Sequence, residues 1–88
     1  MSEQREVKFH NVSPDLLQHV KEGIADKYPS ESAALAEDVF FPVGHGYSLK
    51  WQYIGTDLVV TVAGPSIFMS KACDQVAALV NGLIGGVP

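Results

Sequence analysis

Tyr47-Ser48-Leu49-Lys50-Trp51-Gln52-Tyr53-Ile54, then Gly55-Thr56, then Asp57-Leu58-Val59-Val60-Thr61-Val62, reads as one β-hairpin with a single apolar face. Tyr47, Leu49, Trp51 and Tyr53 alternate with Ser48, Lys50 and Gln52, the two-residue period of a half-buried strand. Gly55 suits the first central position of a II′ turn, because glycine accepts positive φ without a Cβ clash. A turn at Gly55-Thr56 sets Tyr53 opposite Leu58, Trp51 opposite Val60 and Leu49 opposite Val62 on one side. Gln52 then faces Val59, and Lys50 faces Thr61, on the other. A slip of one residue would invert both faces, so turn chemistry and burial select the same register.

Downstream of the hairpin, Gly64-Pro65-Ser66 switches the chain from strand to helix. Ile67, Phe68, Met69, Cys73, Val76, Val80 and Leu83 then fall on one apolar stripe, with Lys71, Asp74, Gln75 and Asn81 facing away. Gly85-Gly86 supplies the stop. Upstream, Ser13-Pro14-Asp15 combines a capping hydroxyl, a proline suited to the first helical position and a carboxylate that complements the helix dipole. Leu16, Leu17, Val20, Ile24 and Tyr28 follow at three- and four-residue spacing, and Pro29 ends that helix. Val7 and Phe9 alternate with Lys8 and His10, a short strand near 6–11, and residues 1–5 read as a loose tail. Ser30 to Glu37 has helix-forming composition, a short helix or a turn. Val39-Phe40-Phe41, ahead of Pro42, fits either a brief edge strand or a packed loop.

These elements predict a single α+β domain over residues 1–88. Its form is a small two-layer sandwich with an antiparallel sheet of two to four strands, the hairpin at 47–63 plus the strand near 6–11. Two amphipathic helices, at about 14–28 and 66–84, cover one face.

Composition narrows the function classes. Eighty-eight residues hold one modest core. The formal net charge is −4, and the six Lys and Arg residues are scattered. That pattern argues against nucleic acid, which is bound by clustered positive charge, and against an anionic membrane surface. Cys73, the single cysteine, has no partner for an internal disulfide. The polar, mixed-charge start is unlike a secretory or transit signal. Lys71, Asp74, Gln75 and Asn81 interrupt the longest apolar segment, Ile67 to Ile84, so it reads as a core helix rather than a membrane span. The cytoplasm is the expected location.

Chemistry is sparse. His10, His19 and His45 fall on a strand, a helix and a loop without ligand spacing, so no metal is expected. Cys73 sits in the apolar stripe, where a thiol behaves as a small core side chain. No nucleophile elbow, P-loop or dinucleotide fingerprint occurs, so neither a catalytic residue nor a cofactor is assigned. Glu37-Asp38 are chain neighbours before an apolar run, a solvated or capping pair rather than an acid–base pair.

Two surfaces stand out from scaffold. The segment from Phe40 to Tyr47 offers Phe40, Phe41, His45 and Tyr47 around two glycines, and loops of this kind suit recognition. Its structural alternative is that both phenylalanines plug the core while Gly44 and Gly46 turn the chain. The far face of the hairpin offers Lys50 and Gln52, and a small sheet is often completed by a second chain. The expected function is therefore a small non-enzymatic interaction module, such as an adaptor, assembly factor or protein inhibitor. Its partner is another protein or a second copy joined through the sheet. The alternative is a small-ligand binder or simple enzyme with a pocket around 40–47. There His45 would act as acid/base, with Tyr47 as a hydrogen-bonding partner.

Overall fold

The hairpin forms in the register its turn demands. In the computed structural model, which describes residues 2–27 and 37–85, Ile54 faces Asp57, Tyr53 faces Leu58, Trp51 faces Val60 and Leu49 faces Val62. Gly55 takes a φ of 64° and Thr56 keeps a negative φ, the pattern of a II′ turn.

Around this hairpin the chain runs β1 (Ser2–Phe9), α1 (Pro14–Lys27), β2 (Phe41–Gly44), β3 (Tyr47–Ile54), β4 (Asp57–Pro65) and α2 (Met69–Gly85). A 3-10 turn at Ser66–Phe68 leads into α2. The strands make one antiparallel sheet in the order β1-β4-β3-β2. The fold is α+β, and the sheet has four strands, the upper end of the expected range.

The core is built from one face of that sheet and one stripe of each helix. Leu49, Trp51, Leu58, Val60 and Val62 are buried with Val20 and Ile24 of α1 and Met69, Val76 and Val80 of α2. Lys21 lies across the Trp51 ring, its Nζ 5.2 Å from the centroid. Ser13 caps α1 as its position implied: its Oγ accepts the Leu16 N–H at 3.2 Å. Val12, which links β1 to α1, is fully buried. Its N–H donates to the Thr56 carbonyl at 2.8 Å, and its own carbonyl accepts the Tyr53 hydroxyl. The turn of the hairpin and the start of the first helix are thereby tied together.

Two expectations are corrected, and one burial was not anticipated. The first strand is neither short nor preceded by a loose tail. It begins at Ser2, because β4 continues to Pro65 and offers residues 2–5 a partner. Ile67 and Phe68 do not join the core; they are 76% and 61% exposed. The 3-10 turn that holds them winds more tightly than an α-helix, which moves them off the stripe that Met69 begins. Val59 and Thr61 are buried although they lie on the face away from the core. Val59 stands between Lys8 and Gln52, and Thr61 between Glu6 and Lys50, so long aliphatic stems on both sides exclude water. The predicted short helix or turn over Ser30 to Glu37 lies, except for Glu37, outside the described residues, as do Tyr28 and Gly86.

Candidate functional site

The six side chains singled out from the sequence do not converge. Phe41 is almost completely buried and belongs to the core, the plugging alternative. Tyr47 is buried too, and its hydroxyl donates to the Pro65 carbonyl at 2.8 Å. Phe40, Lys50 and Gln52 lie together on the opposite side of the sheet. There the Lys50 ammonium sits 4.9 Å from the Phe40 ring centroid and 3.3 Å from Asp38 Oδ1. His45 is exposed at the tip of the β2–β3 turn with a φ of 56°, between two glycines that also have positive φ. Among the described residues no group of three or more His, Cys, Asp or Glu side chains is placed to hold a metal ion.

What the sheet does present, among the described residues, is one open edge, and the backbone shows which one. Ile54 and Asp57 close a two-residue turn, so they form a hydrogen-bonded pair, and such pairs recur at every second residue. The even-numbered residues of β3 therefore bond to β4, and its odd-numbered residues point the other way, toward β2. Leu49 there meets Phe41. Beyond the end of β2, the Trp51 carbonyl accepts the Asp38 N–H at 2.8 Å, and the Tyr53 N–H donates to Glu37 Oε2 at 2.8 Å. Glu37-Asp38 is thus a capping pair, as one of its two sequence readings had it. It closes the β3 edge that the four-residue β2 is too short to cover.

The outer edge of β2 is itself poor for pairing. Pro42 alternates with the bonded Phe41, faces outward and has no N–H, and the register shifts between Pro42 and Gly44. The β1 edge has neither defect. Phe9, Val7 and Arg5 oppose Leu58, Val60 and Val62, the β4 residues whose backbone turns toward β1. By alternation, Ser2, Gln4, Glu6 and Lys8 turn their N–H and C=O groups outward. Among the described residues no strand pairs with them.

The charges of this edge alternate in sign along the strand. Arg5 pairs with Glu3 on the helix side of the sheet and also donates to Ser70 Oγ of α2 at 3.1 Å. Glu6 and Lys8 occupy the other side. Sequence reading missed the edge because Glu3 and Arg5 hold the positions where an apolar residue would have announced a strand. The remaining signal was the period of Val7 and Phe9, continued backward.

A second feature lies beside the β2–β3 turn. The β2–β3 turn, α2 and the end of α1 enclose an open cleft of about 960 Å³, with His45 and Tyr47 among its lining residues.

Searches against protein-family models, curated proteins and solved structures return no match for this chain.

Proposed function

We propose that the chain is a small non-enzymatic interaction module that associates with a second copy of itself through the outer edge of β1. The observation that carries this reading is an eight-residue edge strand with no proline and no bulge, in a sheet whose other edge is blocked. Strand addition supplies affinity through main-chain hydrogen bonds and specificity through side-chain register.

Charge supports a twofold pairing of this strand. An antiparallel axis at Gln4 sets Glu3 against the second copy's Arg5, twice. An axis at Val7 sets Glu6 against the second copy's Lys8, again twice. Axes at Arg5 or Glu6 would instead place like charges opposite one another, which is unfavourable. The edge is therefore self-complementary in some registers and self-repelling in those between. The expected site of action is the cytoplasm, where the lone Cys73 has no disulfide to make.

Light scattering across micromolar to submillimolar concentrations tests the reading. The parent chain is expected to dimerise. Of the backbone groups, Glu6→Pro removes only an outward N–H, so it is expected to keep the β1–β4 ladder and remain a folded monomer. Gln4→Pro provides a second variant of the same design. A parent chain that stays monomeric throughout, or proline variants that dimerise as well as the parent, would remove the proposal.

A further inference from the structure

The cleft beside the β2–β3 turn lies on the helix side of the sheet and does not use the outward backbone groups of β1. Its lining includes apolar side chains from three elements: Leu49 of β3, Val62 of β4, and Val76 and Leu79 of α2. Its charged and imidazole lining side chains among the described residues are Lys27, Lys71 and His45. No described carboxylate lines it, although the chain carries a net charge of −4. Tyr47, the remaining titratable lining group, already gives its hydroxyl proton to the Pro65 carbonyl.

Helix α2 packs its apolar stripe on the core, with Ala72, Cys73, Leu79, Leu83 and Ile84 only partly buried there. Within the helical segment Ser66 to Gly85, the 18-residue apolar window has a mean hydropathy of 1.2, and 17% of that window is buried. By length and composition that segment could cross a membrane; here Met69, Val76 and Val80 pack it against the sheet. Ile67 and Phe68, exposed at the start of the segment, also line the cleft. Contiguous apolar surface of this kind marks a binding groove more often than it marks solvent-facing scaffold.

We infer that this cleft takes a single-chain amphiphile with an anionic head, of the fatty-acid type, its tail along the apolar lining and its head met by Lys27 and Lys71. The volume, near the top of the range of about 300–1,000 Å³ usual for ligand sites, accommodates such a tail. The basic lining selects the sign of the head.

Methyl-detected NMR titrations with octanoate, decanoate and decyltrimethylammonium, all kept below their micelle concentrations, test this. Decanoate is expected to shift the Val43, Ile67 and Leu79 methyls, the lining methyls that solvent reaches, in a saturable way. Octanoate is expected to bind more weakly, by about fourfold for each missing methylene (about 0.8 kcal/mol per buried CH2). Decyltrimethylammonium, whose tail is one carbon longer and whose charge is opposite, should still bind at least about tenfold more weakly than decanoate. Ala78→Glu places a carboxylate at an exposed lining position and should abolish decanoate binding while leaving the fold intact. Equal binding of the two decyl surfactants, no saturable shift, or shifts confined to other methyls would overturn the inference. So would concentration-dependent broadening of the same methyls, without ligand, in the Glu6→Pro variant, which would assign the cleft to a second copy.

Discussion

A Cβ added to Gly64 would stand 2.9 Å from both Cε1 and Cγ of Tyr47, so the tyrosine ring occupies the space that a side chain at position 64 would need. The same ring is anchored one residue on by its bond to the Pro65 carbonyl. Gly64 also faces Glu3 across the β1–β4 ladder. Tyr47 can pack against the end of β4 only because the next-to-last residue of that strand has no side chain.

Gly64→Ala is therefore expected to destabilise the fold by about 1–3 kcal/mol, the usual range for overpacking. Urea denaturation would measure it. Amide exchange at Glu3 and Arg5, whose N–H groups face β4, should accelerate in the same variant, since the start of β1 pairs at this point.

Gly23→Ala should behave differently, although its Cβ would also meet a neighbour. That neighbour is the tip of Leu83, with Cδ1 at 2.8 Å and Cγ at 3.1 Å, and a leucine tip can rotate away. Alanine meanwhile gains about 0.8–1.0 kcal/mol of helix propensity over glycine. The two effects oppose each other, so the net change by denaturation should stay within about 1 kcal/mol.

Trp51→Ala should be among the most damaging changes, about 3–5 kcal/mol by denaturation. The indole is buried at the centre of the inward face between Leu49 and Tyr53, with Lys21 of α1 lying across it. A melt indistinguishable from the parent would contradict this placement.

Burial pushes the Cys73 thiol above its ordinary value of 9.0; Arg5 opposes the shift, and Asp74 and Glu3 add to it. The folded chain holds this proton more tightly than the unfolded one. Its contribution to stability is thus complete below pH 9.0 and is lost as the pH rises through the folded value. Iodoacetamide at pH 8 should alkylate Cys73 more slowly in the native chain than in urea. Equal rates would contradict it.

The hairpin was readable from local chemistry because Gly55, the alternation from Tyr47 to Tyr53 and the run from Leu58 to Val62 all favour one register. The start of α1 was readable for the same reason: Ser13, Pro14 and Asp15 each act within one turn. The features that position the candidate site are long-range. Nothing local shows that Glu37 will cap Tyr53 or that Asp38 will bond to Trp51. Glu3 and Arg5 look like tail residues until β4 is seen to extend beside them. Of the singled-out side chains, Phe41 and Tyr47 were aromatic because the core needed them, and only contact with the sheet distinguishes that from recognition.

The central claim is that β1 is an open edge that accepts a second copy, and concentration-dependent amide exchange tests it most directly. Arg5 and Val7 should be protected in dilute and concentrated samples alike, because their N–H groups face β4. Amides that turn outward, at Gln4, Glu6 and Lys8, should exchange quickly when dilute and slow down as the concentration rises. Outward amides that exchange equally fast at every concentration would contradict the account.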